Sequence, residues 1–250
     1  MQSETSPIHV LIGGAGGIGS AAARRLARSG ARLVLAGRRE APLQALATEL
    51  GGEAHVLDAR DSAAVETLFD DVLARHGRID GAANCAGSIL LKPAHLISDA
   101  EFADTLAQNL TTAFHVLRAA AKRMMRQEGG GAIVLCSSVA AQRGLLNHEA
   151  IAAAKAGVEG LALASAASYA RSGVRINCVA PGLTRTDLTR GITSNEAIAK
   201  ASAAMHPLGR IGSPDEVASA ICWLLDREQS WVTGQVIGVD GGLGRVQARG

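Results

Sequence analysis

Residues 8–19 read Ile8-His9-Val10-Leu11-Ile12-Gly13-Gly14-Ala15-Gly16-Gly17-Ile18-Gly19. An apolar run over Ile8–Ile12, the pattern of a buried strand, enters five glycines and then a helical pattern over Gly19–Ser29. Without Cβ atoms, the turn lets backbone N–H groups approach a pyrophosphate closely, and the helix N-terminus behind it adds positive potential. The glycine spacing alone is weak evidence. A strand before it and a helix after it supply the context that a dinucleotide-binding βαβ unit requires.

The alternation continues along the chain. Strand patterns fall at Arg32–Ala36, Glu53–Leu57, Gly81–Ala83, Ala132–Cys136, Val174–Val179 and Gln235–Val239. Helical patterns fall between them at Ala41–Leu50, Ser62–His76, Glu101–Gln127, Ile151–Arg171 and Pro214–Leu225. The strands are continuous apolar runs, as expected where both faces of a sheet are covered. Such alternation predicts a single-domain, Rossmann-type α/β three-layer sandwich, a doubly wound parallel sheet of about seven strands. No linker or repeat divides the chain, so residues 1–250 are expected to form one dinucleotide-binding domain. Residues 184–206 are polar, weakly patterned and follow a strand end, a place for a mobile substrate flap.

Composition narrows the function classes. Of 250 residues, 48% are hydrophobic and only 2% aromatic, with a single tyrosine. The core must therefore be aliphatic, and aromatic platforms for stacking bases or sugars are missing. Twenty-five basic against 23 acidic residues give a net charge of +2, which argues against nucleic acid or a membrane surface as main partner. Arg118, Lys122, Arg123 and Arg126 have helical spacing and read as a solvated helix face. Cys85, Cys136, Cys178 and Cys222 form no Cys-x-x-Cys pair and sit in apolar runs, so they read as reduced core thiols of a cytoplasmic protein. Met1–Pro7 is polar with an early acid, unlike a secretory leader, and no transmembrane helix is expected. His9, His55 and His115 lack ligand spacing, so no metal is expected.

The second strand ends Leu35-Ala36-Gly37-Arg38-Arg39. An acid usually stands there when the ribose 2′-hydroxyl is free, whereas arginine suits a 2′-phosphate. The turn therefore points to NADP(H), with NAD(H) as the alternative.

Together these features resemble the short-chain dehydrogenase/reductase family over nearly the whole chain. Gly13, Gly17 and Gly19 match its glycine motif, although Ile12 stands where a Thr is usual. Asp58 matches its adenine-contacting Asp, Asn84-Cys85-Ala86-Gly87 its Asn-Asn-Ala-Gly turn, Asn109 its helix Asn, and Ser138 its active-site Ser. Pro181-Gly182 with Thr184 and Thr186 resembles the nicotinamide-side turn, and Gly241-Gly242 the C-terminal signature. The resemblance implies a cofactor held by Gly13, Gly17, Ile18, Gly19, Arg38, Arg39, Asp58, Ala59, Asn84, Ala86, Gly87, Lys155, Pro181, Gly182, Thr184 and Thr186. It also implies a homo-oligomer, tetramer or dimer. The substrate expected is a small molecule, modest and apolar, because the flap and residues 139–150 are mostly small or aliphatic.

One element of the pattern is missing. The family's Tyr-x-x-x-Lys should begin 13 residues after Ser138, where the chain reads Ile151-Ala152-Ala153-Ala154-Lys155. The sole tyrosine, Tyr169, stands 14 residues beyond Lys155, about 21 Å along one helix. Carbonyl reduction needs a proton at oxygen as hydride reaches carbon, and Ile151 has none to give. In an ideal helix His148 shares a face with Ile151 and Lys155, Glu149 points away, and Asn147 can hydrogen-bond but is a poor acid. The catalytic set is therefore read as Asn109, Ser138 and Lys155, with His148 as proton donor. Ser138 and His148 lack an orienting acid, which speaks against a hydrolase triad. Three readings follow: an oxidoreductase with a modified relay, a cofactor-binding sensor or partner subunit without turnover, and a lyase or isomerase using the same pocket.

Overall fold

The computed structural model describes residues 6–247. Of the polar leader only Ser6 and Pro7 fall within it; Met1–Thr5 and the last three residues lie outside the described residues. Seven parallel strands form one sheet in the order β3-β2-β1-β4-β5-β6-β7. They are β1 Ile8–Ile12, β2 Arg32–Gly37, β3 Glu53–Val56, β4 Gly81–Asn84, β5 Gly131–Cys136, β6 Val174–Pro181 and β7 Val236–Val239. The direction of winding reverses between β1 and β4, which pair from His9↔Gly81 to Ile12↔Asn84. A crevice outside the carboxyl ends of these two strands is where ligands bind in such sheets.

Helices α1 (Gly17–Arg28), α2 (Glu40–Leu50) and α9 (Pro214–Leu225) cover one face, and α3 (Ser62–His76), α5 (Thr112–Met124) and α6 (Glu149–Tyr169) the other. Successive strand residues feed opposite cores. Val10 and Ile12 join Phe69, Val116 and Val158, while Leu11 joins Leu26, Leu43 and Ile221. That two-sided burial explains strands that are apolar without a period of two. The α6 segment Glu149–Ser172 is by length and mean hydropathy able to cross a bilayer, but here it packs on β6 as a layer of the core.

Several expectations need correction. The long helix read over Glu101–Gln127 runs from α4 (Asp99–Leu106) through a π turn at Ala107–Thr111 into α5. The region read as a weakly patterned flap contains α7 (Arg190–Thr193) and α8 (Glu196–Met205), the latter capped by the Asn195 side chain accepting from the Ile198 amide. The alanines of α8 are good helix formers, but none of its residues is fully buried, so no strong apolar stripe reveals it. The basic group on α5 is not simply solvated. Arg123 is buried and pairs with Glu66 and Asp70 of α3, with Arg118 and Lys122 also on Glu66.

Candidate active site

The glycine turn sits at the winding reversal. Gly13 has φ +76°, a left-handed conformation, and a Cβ there would meet the Ala86 nitrogen at 2.6 Å. The turn after β1 is thus pressed against the turn after β4. Gly17 is the first residue of α1 and faces Thr186, whose methyl carbon lies 2.7 Å from an added Cβ. The first helical bond is donated by Ser20 to the Gly16 carbonyl, which leaves the N–H groups of Gly17, Ile18 and Gly19 without a backbone partner at the helix start, while those of Gly13, Gly14 and Gly16 are already bonded within the turn and to Ala36. Gly19 does not line the cleft. It lets the helix close on the turn, since its Cβ would stand 2.3 Å from the Gly13 carbonyl oxygen. A cradle of free N–H groups that side chains would fill fits a pyrophosphate.

A cleft of about 410 Å³ extends from this cradle and is lined by Gly13, Gly17, Ile18, Arg38, Arg39, Asp58, Ala59, Ala86, Gly87 and Thr186 of the expected set. Asn84 is not among the lining groups. Its Oδ1 accepts from the Ala86 amide at 3.2 Å and so shapes the turn from below. The sequence reading missed Arg60, which also lines the cleft and donates from Nε and NH2 to Asp58 at 2.9 and 2.6 Å. Hydrogen bonding from the Arg60 side chain holds the Asp58 carboxyl below its ordinary range. Arg39 donates to the Ala15 carbonyl at 2.9 Å. Arg38 faces the same cleft and has no ion-pair partner among the described residues. Three guanidinium groups therefore gather along this cleft.

A second cavity, about 400 Å³, joins the first through Ile18, Cys85, Ala86, Gly87, Thr186 and Leu188. It brings together Asn109, Ser138, His148, Ile151 and Lys155, and also Pro181, Gly182 and Thr184. Lys155 is buried and donates from Nζ to the Cys136 carbonyl at 2.8 Å, and burial pushes its ammonium group below the usual lysine range. Ser138 Oγ accepts from the Ala140 amide at 3.2 Å. Asn109 lies within the π turn, where its Nδ2 donates to the Thr105 carbonyl and to Ser88 Oγ at 2.9 and 3.0 Å. Such one-turn π segments recur at functional sites. Ile151 is 5% exposed and fills the tyrosine position with hydrocarbon.

His148 precedes the first residue of α6 rather than lying within it, yet still lines the cavity. Its Nδ1 donates to the Leu146 carbonyl at 2.7 Å, which leaves Nε2 without a hydrogen-bond partner among the described residues. His206 is a satisfied structural histidine: Nδ1 donates to the Ser202 carbonyl and Nε2 accepts from the Leu183 amide. Glu149 accepts from the Ala94 amide, away from the cavity. Asn147 is also outside it. It holds φ +63°, and its carbonyl accepts from the Lys92 amide. Tyr169 ends α6 and packs against the core.

The cavity wall is aliphatic, with Leu145, Leu146, Leu188, Ile192, Ile198 and Met205 from the two expected stretches and Leu183 just before the second. Ile89, Leu91 and Leu243 were missed; they come from loops whose inward direction no periodicity announces. The cysteines are not all core thiols. Cys178 is buried, but Cys85 and Cys136 are partly exposed at the cavity floor. The C-terminal signature works as a turn: Asp240 accepts from the Gly242 and Gly244 amides at 2.9 and 2.7 Å.

A family model described as enoyl-(acyl carrier protein) reductase matches residues 13–244. The 3-oxoacyl-[acyl-carrier-protein] reductase FabG of Escherichia coli (strain K12) is 32% identical over 238 residues, covering 94% of this chain and 96% of that protein. The D-threitol dehydrogenase of Mycolicibacterium smegmatis is 36% identical over 243 residues, covering 94% and 92%. Among solved structures, a short-chain type dehydrogenase/reductase from Mycobacterium ulcerans superposes with a TM-score of 0.91 at 33% identity, covering 97% of this chain and 91% of that one. An actinorhodin polyketide ketoreductase variant solved with NADPH gives a TM-score of 0.91 at 30% identity, covering 98% and 100%.

Proposed function

The chain belongs to the short-chain dehydrogenase/reductase family and is an NAD(P)-dependent oxidoreductase; from that premise we propose that it uses NADP(H), with a proton relay that works without tyrosine. The observation carrying the cofactor choice is the group of Arg38, Arg39 and Arg60 around the adenosine end, with no acid at the end of β2 to meet a free 2′-hydroxyl. Arginine matches a phosphate by charge and by its fork of donors. The actinorhodin polyketide ketoreductase variant solved with NADPH favours the same cofactor.

When bound, the nicotinamide supplies or accepts the hydride. The chain's own residues handle the oxygen. Ser138 Oγ is the hydrogen-bond donor to the substrate oxygen, and Lys155, anchored on the Cys136 carbonyl, adds positive charge below it. His148 Nε2 delivers the proton and is reprotonated from solvent at the cavity mouth. Asn109 keeps the π turn and the Ser88 loop in register with Lys155. Leu188, Ile192, Ile198 and Met205, from the flap at 184–206, close on a modest apolar substrate carrying a ketone, alcohol or enone. Apolar residues left exposed on the helices, such as Phe114 and Leu163, support a homo-oligomer.

The test follows nicotinamide absorbance with a panel of aliphatic ketones, enones and secondary alcohols. NADPH consumption in preference to NADH is expected with at least one ketone or enone. Tight NADPH binding with no consumption across the panel overturns the relay. Product formation with no net cofactor change replaces it with isomerisation or dehydration.

A further inference from the structure

Two cysteines have no part in the proposed hydride chemistry. Cys85 follows β4 and Cys136 ends β5. The parallel register of those strands, which runs to Asn84↔Leu135, brings Cys85 opposite Cys136. Their Sγ atoms are 3.9 Å apart. Neighbouring strands are spaced by about 4.8 Å, inside the roughly 4.4–6.8 Å Cα separation that a disulfide spans. Both backbones are pinned: the Cys85 amide donates to the Ile12 carbonyl at 2.8 Å, and the Cys136 carbonyl accepts from Lys155. Side-chain rotation is thus the movement needed to bring sulfur to a bonding distance of about 2.05 Å.

We propose that Cys85 and Cys136 form an oxidisable dithiol at the junction of the cofactor cleft and the substrate cavity, and that its co-reactant is a small-molecule disulfide. The pair is reachable because Cys85 lines both cavities and Cys136 the second. The remaining two cysteines are not poised in this way. Cys178 is buried with its thiol pushed up by desolvation, and Cys222 is pushed up by burial to about 11. Cys136 shifts the other way, lowered by its hydrogen bond with Cys85 and by the nearby Lys155 ammonium, whereas Cys85 is raised by the same hydrogen bond and by desolvation, so Cys136 is the attacking member of the pair. Thiolate is the attacking species in exchange.

The reaction balances in two steps. Cys136 thiolate attacks one sulfur of the small disulfide, forming a mixed disulfide and releasing one thiolate. The Cys85 thiol then gives up its proton as its sulfur attacks the Cys136 sulfur, closing the protein disulfide and releasing the second thiolate. Two protein thiols lose two protons and two electrons, and the reagent is reduced to two thiols. A dinucleotide held in the first cleft would shield the junction, because Cys85 lines that cleft and its backbone abuts Gly13 of the glycine turn. Oxidation is therefore a property of the cofactor-free chain, and it does not depend on which substrate is turned over.

Oxidised glutathione is the probe, applied to the full chain at neutral pH. Two of the four thiols are expected to disappear, peptide mapping should place one crosslink at Cys85–Cys136, and dithiothreitol should restore both. NADPH at about ten times its Kd should slow the loss about tenfold, the free fraction expected from mass action. Cys85→Ser should instead retain glutathione on Cys136. Persistence of all four thiols in the cofactor-free protein overturns the proposal, as does a stable glutathione adduct on the unsubstituted chain or equal loss at Cys178 and Cys222.

Discussion

Arg38→Ala is the sharpest test of cofactor choice, because the three arginines of the cleft are not equally committed. Arg60 is occupied by Asp58 and also reaches Asp104. Arg39 is held on the Ala15 carbonyl and lies 4.0 Å from Asp187. Arg38 makes no side-chain hydrogen bond or ion pair among the described residues, so it has least to give up when a phosphate arrives. A hydrogen bond to a charged group contributes about 1.5–3 kcal/mol. Arg38 is exposed, and solvent screening brings the figure down to about 1–2 kcal/mol. At about 1.36 kcal/mol per decade, Arg38→Ala should weaken NADPH binding about five- to thirtyfold. NADH binding should change less than about twofold, since the guanidinium serves the 2′-phosphate and NADH carries none. Arg39→Ala and Arg60→Ala should each cost less. Titration by calorimetry at low and high salt measures all of these values, and the NADPH preference should narrow as salt rises. The reasoning fails if the unsubstituted protein binds NADH as tightly as NADPH, or if Arg38→Ala weakens both cofactors equally.

Other outcomes follow from the same geometry. His148→Gln should lower the reduction rate by at least the ~10²-fold of a lost general acid while leaving NADPH affinity unchanged; an unaltered rate removes His148 from the relay. Adding Ile151→Tyr to that variant should recover ketone reduction, read as kcat in the same assay, because the side chain at 151 faces the cavity. Gly19→Ala should lower the melting temperature and abolish dinucleotide binding, since its Cβ would stand 2.3 Å from the Gly13 carbonyl oxygen, and calorimetry reads both effects. His9 is buried without a partner for Nδ1, and desolvation pushes it from 6.5 down to about 4. The unfolded chain therefore binds the proton first, so the stabilisation is complete above pH 6.5 and is lost as pH falls towards 4, by up to roughly 3 kcal/mol. Denaturant unfolding across that window checks the slope, which His9→Leu should flatten.

Most of the fold was legible because its determinants are local. Ile8–Ile12, Ser62–His76 and Pro214–Leu225 have the bounds read from pattern alone, and most other predicted elements differ by a few residues at their ends. The misses share a cause. The π turn at Ala107–Thr111 has the same composition as the helix around it, so nothing in the residue types marks a change of hydrogen-bond step. Helix α8 is marked by Asn195 and alanines, but it lacks the buried stripe that makes a helix visible in sequence. Arg60 was overlooked because it stands two residues beyond the motif Asp58, and only the fold shows that both enter one cleft. Ile89 and Leu91, from the loop after β4, and Leu243, from the turn after β7, reach the same cavity, a convergence that topology creates and no spacing encodes.

The polar residues that survive around Ile151 carry structural duties as well as chemical ones. Lys155 ties α6 to the end of β5 through the Cys136 carbonyl. Asn109 satisfies the Thr105 carbonyl inside the π turn and clamps Ser88. Ser138 caps the short turn that follows β5. Each would be retained for stability alone, since removing one partner leaves a buried polar group unsatisfied at a cost of about 1–3 kcal/mol. Their presence therefore cannot distinguish turnover from cofactor binding. His148 can, because its ring is oriented by one bond to the Leu146 carbonyl and its other nitrogen carries no structural bond among the described residues. The proposed relay accordingly turns on His148, and kinetics of its substitution weigh more than any substitution of Ser138, Asn109 or Lys155.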